Sequence, residues 1–272
     1  MFDSRMRTMA IPERVFALCQ MLANGPVSEE NARKKFEPDS LAGTSPYFGS
    51  VRDAAEQLGL ILNITDEKLL RLNVGLQVIE NMNTFRLYIN KNIETISEGQ
   101  FYKKTKAWMY NSDRLFHIEK ESQTVSKLVG YLNEIDSTLK LDEDAMRAWR
   151  FWSSFLGFGY LHDMVFLPNA AVFVHDCIVN TKLEKDKEYT ISEFIEKLHP
   201  YISICISPED EKEHKMGLAL SSALRTLNDL GIVELKYIND RQDEWKMTTM
   251  PMHIFASIIT DIKYKGENNN EF

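Results

Sequence analysis

One junction recurs three times in this chain and restricts what it can fold into. Leu58-Gly59-Leu60 closes the stretch SVRDAAEQ, Leu156-Gly157-Phe158 closes RAWRFWSSF, and Leu230-Gly231-Ile232 closes SSALRTLND. In each, a helical pattern runs into Leu-Gly and then into an apolar, β-prone segment. Glycine just past a helix takes the left-handed conformation that ends it without a Cβ clash, so the next residue can open a strand at once. Counting back from each leucine gives apolar or small residues at helical spacing: Val51, Ala54 and Ala55; Trp149, Trp152 and Ser153; Ala223 and Leu227. Gly59 and Gly231 are expected at positive φ.

The residues after the first and last junctions extend the pattern. Ile61–Ile64, a polar turn at 65–68 and Leu69–Leu72 read as a hairpin, and so do Val233–Ile238, a polar turn at 239–243 and Glu244–Met247, where apolar and polar residues alternate with period two. Two further helices precede each of these junctions. At the N-terminal end, Pro12–Leu22 is amphipathic, Asn24-Gly25-Pro26 breaks the chain, and Ser28 is placed to cap a second helix. At the C-terminal end, Ala170–Leu183 is the first helix, Thr190 and Glu193 have capping-box spacing for the second, and Met216–Leu230 is the third.

A third helix closed by Leu-Gly and followed by a two-stranded wing resembles the winged-helix fold, over about 1–73 and 169–249. The expected class is mainly α with small β-hairpins: tandem winged-helix units joined by a helical middle segment. The organisation read from the sequence is an N-terminal winged helix over 1–73, a middle segment over 74–168, and a C-terminal winged helix with a polar tail over 169–272. The middle reads either as a helical linker or as a degenerate third copy, with helices over 101–110, 124–135 and 143–156 and a strand over 158–166 that lacks a return partner. A long helix is expected over 75–93, and the tail after Ile262 is polar enough to read as disordered.

Charge narrows the function classes. Residues 1–96 carry 11 Lys/Arg and 12 Asp/Glu, 97–168 carry 9 and 10, and 169–272 carry 12 and 18, giving nets of −1, −1 and −6. Phosphate-driven DNA binding draws on a basic domain, and none is present. No apolar run is long enough to span a membrane, and the spaced apolar residues of the first 25 do not read as a signal peptide. Cys19, Cys177 and Cys205 are odd in number and far apart, which argues against a disulfide framework or a zinc knuckle and for a cytoplasmic protein.

Catalytic and cofactor signatures are missing from the sequence. There is no phosphate loop, and Gly157-Phe158-Gly159 ends a helix where a dinucleotide fingerprint would open one. The six histidines lack ligand spacing, so neither metal nor cofactor is expected. Neighbours on a helix point about 100° apart, so His175-Asp176-Cys177 cannot converge on a substrate. Asp240 with Glu244-Trp245-Lys246 mimics a metal-dependent nuclease pattern but falls in the expected wing, where an exposed strand shows the same spacing. The aromatic run Trp149, Phe151, Trp152, Phe155, Phe158 and Tyr160 has only Arg147 and Arg150 for company, which fits core packing better than a single-strand stacking surface.

If a winged helix meets double-stranded DNA, its third helix enters the major groove and its wing reaches the backbone. The candidates are Arg52 and Gln57 in the first unit and Arg225, Asn228, Lys236 and Arg241 in the last, joined by Arg33, Lys34 and Lys35 with Arg5, Arg7 and Arg14 near the first. Carboxylates flank most of them. The sequence therefore points to a non-enzymatic adaptor that binds other protein subunits, as the winged-helix subunits of chromosome-condensing complexes do, with weak DNA binding of its own. The alternative is a sequence-specific transcriptional regulator. Trp149 through Gly159, followed by Val165-Phe166-Leu167-Pro168-Asn169-Ala170 leading into a helix, also resembles the DpdG family of bacterial gene clusters that install 7-deazaguanine derivatives in DNA and restrict unmodified DNA. That resemblance implies a partner role in DNA modification or defence and brings no catalytic residues with it.

Overall fold

A computed structural model describes residues 7–38, 46–96, 98–122, 125–163, 165–255 and 257–266. The protein is mainly helical with small sheets. Helix α1 (Pro12–Met21) starts on a proline whose fixed φ suits a first turn, and it buries Val15, Leu18 and Cys19. Strand β1 (Val27–Ser28) leads into α2 (Glu29–Phe36), and the Ser28 hydroxyl accepts from the Asn31 amide at 3.3 Å. Helix α3 (Phe48–Gln57) packs on α1 and buries Phe48, Val51, Ala54 and Ala55. It ends on Gly59 at φ 67°, where the Gly59 amide donates to the Glu56 carbonyl and the Leu60 amide to the Ala55 carbonyl, both at 2.9 Å. Strands β2 (Ile61–Ile64) and β3 (Leu69–Leu72) form the hairpin, and β1 joins β3, giving the order β1-β3-β2.

The long helix expected over 75–93 is interrupted. A 3-10 turn covers Leu76–Ile79, and α4 (Met82–Lys91) begins afresh after Asn81. The cause is local: Asn81 accepts from the amides of Asn83 and Thr84 while the Thr84 hydroxyl accepts from the Asn81 amide, a capping box that fixes a new N-terminus.

The middle is helical: α5 (Gln100–Tyr110), α6 (Ser112–Ser122), α7 (Val125–Ile135) and α8 (Glu143–Phe155). The strand expected over 158–166 is instead a tight hairpin of β4 (Gly159–His162) and β5 (Val165–Pro168), paired from Gly159↔Pro168 to His162↔Val165 and turning back through Asp163 at φ 47°. Trp149, Trp152 and Phe158 are core residues, while Phe151 and Tyr160 are exposed.

Helix α9 (Ala171–Thr181) comes next, then β6 (Glu188–Thr190) and α10 (Ile191–Ile202), whose Thr190/Glu193 capping box forms as the spacing predicted. A short α11 (Pro208–Lys212) and β7 (Lys215–Met216) precede α12 (Leu218–Asp229). The remaining strands are β8 (Val233–Lys236), β9 (Trp245–Met247), β10 (Ile258–Ile259) and β11 (Asp261–Tyr264). The hairpin expected between 233–238 and 244–247 does not form. Strand β8 pairs with β11, and β9 pairs antiparallel with β10 and parallel with β7. Lys263 and Tyr264, assigned by sequence to a disordered tail, belong to β11, while residues 267–272 of that tail lie outside the described residues.

The sheet order β6-β11-β8 repeats β1-β3-β2. Individual bonds repeat too. Gly231 donates to the Asn228 carbonyl and Ile232 to the Leu227 carbonyl, both at 3.0 Å, with Gly231 at φ 71°. The first amide of α2 reaches the residue before β3 (Glu29 to Lys68, 3.0 Å), and the first amide of α10 reaches the residue before β11 (Ile191 to Thr260, 2.9 Å). The residue after β3 donates to Leu60 (Asn73, 2.8 Å), and the residue after β11 donates to Ile232 (Lys265, 2.9 Å). The largest difference lies between the last two strands of each sheet, where residues 65–68 in the first copy are replaced by residues 237–260 in the second; α11 and β7, between the second and third helices, also belong to the second copy.

The chain divides into two compact units. One comprises the described residues up to Lys104 with Leu139–Phe155, and the other Thr105–Thr138 with the described residues from Leu156 onward. The middle segment is thus shared between them. No helix among the described residues is long and apolar enough to cross a membrane.

Candidate functional site

The cations singled out from the sequence have structural employment. Arg52 on α3 is held by Glu29, by Asp53 at 2.8 Å and by Glu56 at 3.8 Å. Burial works against its charge, but Asp53 and Glu29 more than offset this and hold the guanidinium above its ordinary pKa. Gln57, next to that cluster, is half-buried. Arg225, expected on an exposed face, is 2% exposed, and its Nη2 and Nε donate to the carbonyls of Thr248 at 2.8 Å and Phe255 at 3.0 Å. The Asn228 side chain accepts from the Leu235 amide at 3.0 Å and anchors β8. Lys236 pairs with Glu188, and Arg241 lies 3.3 Å from the buried Asp261 carboxylate.

The cations near the N-terminal end differ. Lys34 pairs with Glu30 at 2.6 Å, but Arg33 and Lys35 are exposed on α2 with no ion pair among the described residues. Arg14 donates to the Met9 carbonyl at 2.8 Å and lies 4.4 Å over the Tyr47 ring. Arg7 is exposed, and Arg5 lies outside the described residues.

The outward side of α12, which carries Ser222, Arg225, Thr226 and Asp229, is walled in by its own unit. Helix α6 and strand β5 pack against α12, the Asn169 amide donates to Thr226 Oγ1 at 2.9 Å, and the Ser112 hydroxyl accepts from the Ala219 amide at 3.3 Å. Between these walls and the segment 248–255 lies an open groove of about 300 Å³, lined by Phe116, Tyr160, Leu167, Pro168, Leu218 and Met250 together with polar atoms of α12 and His253.

Segment 248–255 is a loop closed at its neck. Arg225 holds both ends, the Ser221 hydroxyl accepts from the Thr248 amide at 2.9 Å, and the His253 amide donates to the Met250 carbonyl at 3.0 Å. The Phe255 amide donates to His253 Nδ1 at 3.0 Å, so the ring proton sits on Nε2, which donates to Asp229 Oδ1 at 3.1 Å. With both ring nitrogens engaged, His253 has none to take a proton from a substrate. The tip of the loop carries Met252 at 97% and Ile254 at 84% exposure.

A second polar cluster joins residues 237–260 to the start of α10. Asp243 accepts from the Ser192 hydroxyl at 2.6 Å and the Ser192 amide at 3.1 Å, the Trp245 indole donates to Ser192 Oγ at 2.9 Å, and His214 stacks on Trp245 with Nδ1 3.6 Å from Asp243. Here the carboxylate stands between hydroxyl and imidazole. A nucleophilic triad needs the imidazole in the middle. The other chemical candidates are also occupied. Glu244 accepts from the Tyr237 hydroxyl at 3.2 Å, Trp245 is buried, and burial pushes the Cys177 thiol well up. Burial pushes Lys104 down to about 8 against the opposing pull of Asp142, but its side chain is 2% exposed. No group of three or more His, Cys, Asp or Glu among the described residues is placed to hold a metal ion.

Sequence reasoning did not single out Met250, Met252 and Ile254, and it weighed Tyr160 only within the aromatic run and His253 only among the histidines that lack ligand spacing. The usable signal was the cluster of apolar residues Met250, Met252, Ile254 and Phe255 following the polar pair Thr248-Thr249. No family model, curated protein or solved structure matches the chain.

Proposed function

We propose that the chain is a non-enzymatic adaptor built on two winged-helix units, α1–β3 and α9–β11, which binds protein partners and has only weak affinity for DNA. The repeated strand order, the paired glycine caps and the equivalent strand-flanking bonds support the winged-helix reading. The observation that carries the adaptor reading is the condition of the two third helices. A reading helix needs a free cationic face to enter a major groove about 12 Å wide. On α3 that face is an arginine held by three carboxylates, and on α12 it is walled in by α6, β5 and the loop at 248–255. The resemblance to DpdG adds a setting, a complex that modifies or defends DNA.

The exposed Arg33 and Lys35 favour a second reading, in which the N-terminal unit engages duplex DNA as a regulator. Binding driven by phosphate contacts falls steeply with salt. The adaptor reading predicts duplex binding that is weak at about 50 mM salt and absent at about 200 mM. Tight binding at the higher salt, lost in the Arg33→Ala/Lys34→Ala/Lys35→Ala variant, refutes it and makes the N-terminal unit a DNA reader.

A further inference from the structure

We infer that the loop at 248–255 and the groove beside it form a self-complementary surface through which two copies of this chain associate about a two-fold axis. The loop is a preorganised knob. Arg225 staples Thr248 to Phe255, and His253, tied to Met250, Phe255 and Asp229, stiffens the interior. A loop already held in one conformation loses little entropy on docking. Its two most exposed side chains, Met252 at 97% and Ile254 at 84%, are apolar. Exposed apolar area of this kind on a rigid element marks an interaction surface.

The receptor borders the loop. Met250 and His253 of the loop line the groove together with Tyr160, which is 50% exposed. A knob beside a cleft allows two copies to insert into each other at once, which closes the contact as a dimer. Knob and cleft far apart on the molecule would propagate into filaments. Chemistry and size agree. The groove wall is built from Phe116, Tyr160, Leu167 and Met250 and suits methionine and isoleucine. From the exposures of Tyr160, Met250, Met252 and Ile254, roughly 500 Å² of mostly apolar surface per copy is available, so the contact buries at most about 1,000 Å² in total, in the range of weak, transient interfaces. An interface of that size gives a reversible, concentration-dependent dimer.

The test is sedimentation velocity of the full chain from about 1 to 100 μM. The expected result is a shift toward a species of twice the 31.5 kDa chain mass, with a dissociation constant raised at least tenfold by Met252→Asp. That side chain is almost wholly exposed, so the substitution leaves the core alone, and circular dichroism checks this. Cys19, Cys177 and Cys205 are buried, so a mixture of Met252→Cys and Ser222→Cys proteins should give a mixed disulfide with little background. A monomer at every concentration overturns the inference, as does a dimer indifferent to Met252→Asp. The result stands apart from the duplex-binding test, which probes Arg33, Lys34 and Lys35 on the other unit.

Discussion

The two copies of the three-helix, three-strand arrangement share strand order, glycine caps and strand-flanking hydrogen bonds, yet their third helices meet opposite fates. In the first copy a short turn at 65–68 leaves α3 half-open, with Arg52 on its surface among carboxylates. In the second, residues 237–260 replace that turn, build β9 and β10 against β7, and send a loop back over α12, where Arg225 becomes internal. The framework is therefore neutral about function. The long connection, together with α6 and β5, makes the third helix of the second copy the wall of a groove.

Substituting the two arginines should separate the copies most. Arg225→Ala removes a buried guanidinium and leaves the Thr248 and Phe255 carbonyls without their donor, which should cost about 4 kcal/mol. Arg52→Ala removes a half-exposed ion pair and should cost about 1 kcal/mol or less. Urea unfolding checks the contrast, and equal losses would mean that the loop at 248–255 adds no stability.

The glycines sharpen the comparison at a smaller scale. Gly157 and Gly59 sit in the same Leu-Gly pattern and at similar φ, 84° and 67°. A Cβ on Gly59 meets nothing within 4 Å, whereas one on Gly157 would lie 2.6 Å from the Phe173 backbone nitrogen and 2.6 Å from Val172 Cβ. Gly59→Ala should therefore cost about 1 kcal/mol of backbone strain alone. Gly157→Ala adds a clash with backbone that cannot move aside and should cost about 3 kcal/mol. Thermal melts of both variants test this, and matched losses would show that α9 shifts to make room.

Helix ends were legible in the sequence because glycine caps and capping boxes act within a few residues: Gly59, Gly231, Ser28 and Thr190 all do what their spacing predicted. Strand partnership was not legible. The alternation in Val233–Lys236 marks a strand without saying which one it joins, and the nearer candidate, Trp245–Met247, lost to Asp261–Tyr264. Arg225 was misplaced for the same reason. Apolar residues at 220, 223, 224 and 227 set one face of α12 toward the core, and no local pattern tells that distant segments wall in the other. The groove depends on that covering and was invisible with it.

The smallest expected effect is one of pH, and it belongs to the second copy alone. Asp243 joins the long connection to the second residue of α10, where helix amides and the helix dipole favour an anion. Burial raises its pKa, but hydrogen bonds from the Ser192 hydroxyl and amide and from Thr190, with His214 nearby, outweigh burial and hold the carboxyl below its ordinary 3.8. A carboxyl with a lowered folded pKa contributes stability that is fully present above the unfolded value and is lost as pH falls through the folded one. The contribution from Asp243 should therefore be constant at neutral pH and fade only below about pH 4. His214 stacks on Trp245 with its Nδ1 3.6 Å from the same carboxylate. Asp243→Asn keeps an oxygen for the Ser192 donors and removes the charge. Its urea midpoint should fall less steeply between pH 5 and 3 than that of the unsubstituted chain, while the two run parallel from pH 6 to 8. Identical acid slopes would mean that Asp243 titrates no differently once folded, and the attachment of residues 237–260 to α10 would then rest on the Trp245–Ser192 bond and apolar packing alone.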